Sequence, residues 1–327
     1  MKPLIVALSL AIASQACIWD ADTLAAEQAR FPEIAELITG MFPRHSKEFH
    51  AWRLLVCQDR IAKGQKDPFL YDDLAVSQHK LGDHEAAIQT MLDKEKVYPG
   101  QYETYSNLGT FSIYTGQLKE ADRYISRALE INADAHFGRE KYQLWLTRWL
   151  QGEKTPVPDR DERHMVALGV PSGFAAYVAK VSNTPKDEDG IPTMPLQAQA
   201  AALRGVLGMM WFADHDNPRL LEALGQLLLL GGPKDNAAHL ASLSFLLASQ
   251  KATDAKEKER LLVFAEIAGT FTKGFKIADQ EKLLAKGLAN GAAYMEQIRQ
   301  DEIAWIKAGV DAAQEFQKKY LEPRQPK

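Results

Sequence analysis

Apolar residues recur along most of this chain at the spacing of one helix face, and between residues 68 and 135 the whole pattern repeats. Residues 68–101 align with residues 102–135, so the period is 34 residues. A period of this length predicts a pair of helices that stacks on neighbouring pairs. Equivalent positions carry Tyr71, Leu74, Ala75, Gly82, Ala87 and Met91 in the first copy, and Tyr105, Leu108, Gly109, Gly116, Ala121 and Ile125 in the second.

Small residues in each copy mark where the two helices should meet. Ala75 and Gly109 fall where the first helix would cross the second, and a larger side chain there would hold the helices apart. Gly82 and Gly116 fall where the first helix should end, because a positive φ costs least in a residue without a Cβ. The sequence therefore predicts two helix-turn-helix units over residues 68–135.

The best-matched stretches of the repeat, residues 105–109, 114–121 and 128–131, resemble the tetratricopeptide repeat (TPR) family. The resemblance implies an all-α fold in which helix-turn-helix units form a superhelix, with the first helix of each unit lining a concave face. Lys94 departs from the small residue that the family usually has at the twenty-seventh position. At least about three units are needed for a stable stack, so further helices are expected on both sides.

The segments beside the two repeats provide candidates for these helices. Residues 27–39 and 46–63 predict an upstream helix pair, and residues 135–150 predict a capping helix. Together they define an N-terminal TPR-like region over residues 17–150.

The composition changes after residue 150, since six of the 15 prolines lie between Pro156 and Pro195. This predicts a Pro-rich connector over residues 151–197, with a short helix at 172–181 inside it. Residues 198–322 return to helical spacing and predict a divergent, repeat-like C-terminal half.

The end of this C-terminal half is too long for one ordinary helix. Residues 279–321 keep a helical pattern, and Asn290 with Gly291 predicts a break or bend in it. Trp305 and Phe316 line one face of the remainder, which should dock on the stack or on a partner.

The start of the chain is typical of a secretory signal peptide over residues 1–16, because a basic residue precedes a short apolar run and small residues. Ordinary cleavage would leave Cys17 as the first residue of the mature chain. The same position also fits lipidation of the Cys17 thiol, as in a bacterial lipoprotein, and an unmodified Cys17 could pair with Cys57. We therefore expect export, to the periplasm or to a lipid-anchored position, with Cys17 as the only membrane attachment.

Composition narrows the function classes. The 327 residues are 46% hydrophobic and 25% charged, as in globular proteins, with a net charge of -4. No basic block is present, so nucleic acid is not expected as a partner. Two cysteines are too few for a four-cysteine zinc site.

Motifs of catalysis are absent from the sequence: it contains no Gly-x-Ser-x-Gly elbow, no His-Glu-x-x-His and no phosphate-binding glycine loop. His45, Glu48 and His50, or the run from Asp214 to Asp216, could bind a metal, but both clusters are better explained as solvated starts of helices. We therefore predict no catalytic residue, no metal and no cofactor.

The resemblance to the TPR family also selects candidate binding residues, because family geometry assigns certain positions of the first helices to the concave groove. Asp72 in this groove would repel a terminal carboxylate, which disfavours a carboxylate clamp of the chaperone type. The groove candidates are Asp72, His79, Asn107, Thr110, Tyr114 and Arg148.

The sequence thus predicts a non-catalytic scaffold of the bacterial cell envelope that binds another protein or a peptide. Two alternatives stay open. One is a metal-dependent enzyme on a helical scaffold, and the other is a structural subunit that forms an oligomer through its C-terminal helix.

Overall fold

A computed structural model describes residues 18–134, 138–152, 162–230 and 236–321. The leader over residues 1–16 and the candidate lipidation site Cys17 lie outside these ranges. Apart from isolated bridge residues, such as Lys186 with Pro192, the described regular structure is helical, which confirms the all-α class. The helices are α1 (Ala21–Gln28), α2 (Ile34–Thr39), α3 (Lys47–Ala62), α4 (Pro68–Lys80), α5 (His84–Val97), α6 (Tyr102–Tyr114), α7 (Leu118–Ile131), α8 (Glu140–Leu150), α9 (Glu162–Ala167), α10 (Gly173–Val181), α11 (Leu196–Phe212), α12 (Pro218–Leu228), α13 (Ala237–Lys251), α14 (Ala255–Thr270), α15 (Ile277–Ala308) and α16 (Ala312–Tyr320).

The two predicted helix pairs are α4 with α5 and α6 with α7, and consecutive helices from α3 to α8 pack on one another. Gly82 and Gly116 end the first helix of each pair at φ 95° and 73°, as expected. A Cβ on Gly109 would clash with Ile125 of α7, so only glycine allows this crossing. Ala75 is fully buried at the equivalent crossing.

The upstream prediction of one helix over residues 27–39 is wrong, since α1 ends at Gln28 and α2 starts at Ile34. Pro32 separates them, because proline disfavours helical backbone in the residue before it. The break lets α2 turn into the main core, where Leu37 and Ile38 are fully buried.

The Pro-rich stretch contributes to the main core. The short helix expected at residues 172–181 is present as α10, and its Phe174 and Ala175 are fully buried. They share one apolar cluster with Leu37 of α2 and with helices α11 to α14. N-terminal and C-terminal residues therefore form a common core.

The predicted break at Asn290 and Gly291 is wrong, because α15 continues over 32 residues from Ile277 to Ala308. Gly291 instead allows close packing: a Cβ there would clash with the carbonyl oxygen of Thr39 in α2. The uninterrupted α15 runs from the C-terminal half back to α3.

Cys57 is buried beside Leu70 and Leu74, as expected for a small apolar residue. Burial raises the pKa of its thiol to about 12. Within the described part of the chain, no helix combines the length and the apolar sequence needed to cross a membrane.

Candidate functional site

The chain's own N-terminal residues occupy the middle of the predicted groove. The Trp19 backbone N–H donates to Asn107 Oδ1 at 2.9 Å, and Asn107 Nδ2 donates to the Trp19 carbonyl oxygen at 3.1 Å. The Trp19 ring meets Tyr102 edge to face, and Ile18 is buried among residues of α4 and α6. Asn107 therefore binds an extended backbone, which is supplied by residues 18–20 of the same chain.

Asp72 is also used internally. Its two carboxylate oxygens accept from Lys94 Nζ at 2.8 and 2.7 Å, and both side chains are fully buried. Burial raises the pKa of Asp72, and the Lys94 ammonium opposes that rise. The pair explains why Lys94 replaces the usual small residue at its position, since a buried carboxylate needs a cation.

Three further groove candidates contact neighbouring side chains. His79 lies against the Phe111 ring at 4.8 Å and meets Tyr114 edge-on at 4.6 Å. Thr110 accepts a hydrogen bond from Gln143 at 2.8 Å. Burial lowers the pKa of His79 and raises that of Tyr114.

Arg148 is only partly buried, and it pairs with the second helix of the preceding unit. Its guanidinium donates to both oxygens of Asp122 in α7, at 2.8 and 3.0 Å. It braces α8 against α7.

A buried ionic cluster lies where the N-terminal segment, α3 and the C-terminal helices meet. Arg53 donates to Asp20 at 2.8 Å and also pairs with Asp22. His45 lies 3.5 Å from Asp22 and 2.6 Å from Glu302 of α15. Burial alone would lower the pKa of His45, but the two carboxylates outweigh burial and raise it to about 9.

The expectation that His45 and His50 are solvated is wrong, because the His45 side chain is 8% exposed and His50 is 6% exposed. His45 stacks on Phe49 at 3.7 Å, and Phe316 of α16 covers it at 4.0 Å. Glu48 points elsewhere and pairs with Arg299. Phe316, predicted to dock on the stack or a partner, packs on the stack.

The second candidate metal cluster is likewise divided among separate partners. His215 lies 3.4 Å from Arg44, whereas Asp216 pairs with Lys251. Burial, with help from Arg44, lowers the pKa of His215 to about 4. Among the described side chains, no group of three or more His, Cys, Asp or Glu residues is arranged to hold a metal ion.

The described residues also form an open cleft that the sequence did not reveal. A cleft of about 2040 Å³ lies between α2, α8, α11, α13 and α15, and we call it the basic cleft. Its volume exceeds the roughly 300–1,000 Å³ of an ordinary small-molecule site. Apolar side chains form much of its lining, among them Ile34, Tyr142, Leu207, Leu240, Leu283 and Leu284.

Basic side chains dominate the charged lining of the cleft. Glu33 is the only acidic residue among the described lining residues, whereas six are basic: Arg30, Arg139, Lys141, Arg204, His239 and Lys286. Arg30 pairs with Glu36, and Arg139 pairs with Glu27.

Three other basic side chains carry a positive charge that no ion pair within the described residues neutralises. Lys141, Arg204 and Lys286 are exposed, and no described carboxylate lies within ion-pair distance of any of them. A cleft lined by one sign of charge concentrates oppositely charged ligands. These cations are far apart along the chain, so no local motif could have predicted the site.

Comparison with protein-family models and with curated protein sequences finds no match to this chain. The assignment of function therefore depends on the residues and their geometry.

Proposed function

We propose that the protein is a non-catalytic scaffold that binds another protein or a peptide, and that the basic cleft is its binding site. The observation that carries this proposal is the cleft itself, in which apolar side chains share the lining with three exposed cations that have no described carboxylate within ion-pair distance. Buried apolar area supplies most of the driving force of association, and unpaired charges supply specificity and speed.

The predicted groove is a weaker candidate for the same role. Residues 18–20 already satisfy Asn107, while Lys94 satisfies Asp72. A partner would have to displace these residues and leave buried polar groups without hydrogen bonds, which costs about 1–3 kcal/mol for each group. The cleft imposes no such cost.

The proposed location is the bacterial cell envelope. The support is the signal-like pattern of residues 1–16, with Cys17 as the residue that lipidation would modify. The TPR-type arrangement belongs to the same proposal, and it is supported by helix pairs at the predicted positions.

Site-specific cross-linking tests the proposed function. A photo-reactive amino acid replaces Leu283, which lines the cleft and is 47% exposed, and in a control it replaces exposed Lys307 on the same helix. We expect the Leu283 position to capture a partner that mass spectrometry identifies and that binds again as a purified protein. Equal capture at both positions, or no rebinding, would contradict the proposal.

A further inference from the structure

The cations of the basic cleft come from separate elements of the fold. Lys141 lies on α8, Arg204 on α11 and Lys286 on α15, so the three cations without a described ion-pair partner come from three helices. A ligand with a single anionic group would use only one or two of them. The distribution therefore suits a ligand that carries several acidic groups along its length.

Exposed apolar side chains line the same cleft as these cations. Leu283 is 47% exposed, and Leu240 is half-buried on the neighbouring α13. Leu284 and Leu243 continue this surface into the buried lining. An occupant that covers these side chains and meets the cations must therefore carry both apolar and acidic groups.

The size of the cleft indicates the form of the occupant. An α-helix is about 10–12 Å wide and rises 1.5 Å per residue, so about four turns occupy roughly 2000 Å³. This volume matches the cleft of about 2040 Å³. A single acyl chain would fill only a small part of the same space.

We infer that the basic cleft binds an acidic amphipathic helix of a partner protein. Its apolar residues, three and four apart, would pack on Leu240 and Leu283, and its carboxylates would pair with Lys141, Arg204 and Lys286. This inference rests on the proposed function, and it adds the chemistry and the conformation of the partner.

Selection from a library of random peptides of about 18 residues, or about 27 Å as a helix, tests the inference without a known partner. The purified protein should enrich peptides that are rich in Asp and Glu and carry apolar residues at helical spacing. A labelled consensus peptide should bind, whereas the same peptide with Lys at every acidic position should not. Its affinity should fall as salt rises, because exposed charges are screened.

Two double variants, each with two basic residues changed to Glu, test whether the peptide binds in the basic cleft. Arg204→Glu with Lys286→Glu changes two cleft cations, and Lys258→Glu with Lys307→Glu makes the same change of charge on exposed residues outside the cleft. We expect the cleft variant to bind the consensus peptide at least about tenfold more weakly, since two attractions become repulsions. The control variant should bind like the parent, and circular dichroism should show that both remain folded.

Enrichment of neutral or basic peptides, no enrichment, or equal losses in the two variants would overturn the inference. Binding of phosphatidylglycerol vesicles through the cleft, without any peptide enrichment, would overturn it in favour of a lipid ligand. The cross-linking at Leu283 distinguishes failure of this inference from failure of the proposed function. An identified, rebinding partner would preserve the proposed function even if the acidic helix is wrong.

Discussion

At the scale of single residues, buried charges connect parts of the chain that are far apart in sequence. His45 bridges Asp22 near the N-terminus and Glu302 in α15. Arg53 joins the same N-terminal segment to α3. When one partner of a buried ion pair is removed, the other charge stays buried without compensation, and the protein is strongly destabilised. Single substitutions of these residues should therefore lower the free energy of unfolding.

His45 makes the stability of the fold depend on pH. Its pKa is raised to about 9, above the value of about 6.5 expected in the unfolded chain. Its contribution is therefore fully present below about pH 6.5 and is lost as pH rises through about 9. It amounts to about 2–3 kcal/mol at pH 7.

Urea unfolding of the parent and of His45→Gln between pH 6 and 10 measures this effect. The difference in unfolding free energy should shrink as the pH rises, and the comparison removes the effects of other groups that titrate in this range. A difference that does not change with pH would show that His45 is not a charged bridge.

Lys94 provides a second test at this scale. Lys94→Met leaves Asp72 buried without its cation, which should lower the unfolding free energy by about 3–5 kcal/mol. Lys94→Met with Asp72→Leu removes both charges and should recover much of that loss. Chemical denaturation compares the two variants with Lys96→Met, an exposed control. If Lys94→Met lowers the unfolding free energy no more than Lys96→Met does, Lys94 and Asp72 do not form a buried ion pair.

At the scale of helices, close crossings at glycine residues decide the packing. Gly291 sits against the Thr39 carbonyl, where α15 passes α2, and both helices line the basic cleft. The crossing therefore sets the width of the cleft as well as the path of α15.

The effect of Gly291→Ala should run opposite to helix propensity. In an isolated helix this change stabilises by about 1 kcal/mol, because alanine is the better helix former. Here the new Cβ would clash with backbone atoms of α2, and overpacking of this kind typically costs about 1–3 kcal/mol. Thermal unfolding should show a lower midpoint, and a higher midpoint would contradict the crossing.

The helices differ in how far the sequence reveals them. The pairs in residues 68–131 follow from local signals, since Gly82 and Gly116 stop each first helix in the left-handed region. Gly291 carries the same local signal for a break, yet its role is set by contact with α2, about 250 residues earlier. A pattern along the chain cannot distinguish a glycine that ends a helix from one that allows a crossing.

At the scale of the whole molecule, the same limitation applies to the binding site. The groove candidates could be selected from a repeated pattern, but the sequence does not show that residues 18–20 fill part of that groove. Nor does it show that Lys141, Arg204 and Lys286 line one cleft. Long-range packing brings them together, through the turn of α2 and the uninterrupted length of α15.

The most direct test of the account compares the two surfaces with the same partner. The partner identified by cross-linking at Leu283 is titrated calorimetrically against Arg204→Glu with Lys286→Glu, and against Tyr114→Ala in the predicted groove, after both variants are shown to be folded. If the basic cleft is the binding site, affinity should fall at least about tenfold in the cleft variant and stay near the parent value in the groove variant. A loss confined to Tyr114→Ala would contradict this prediction and would return the binding site to the groove.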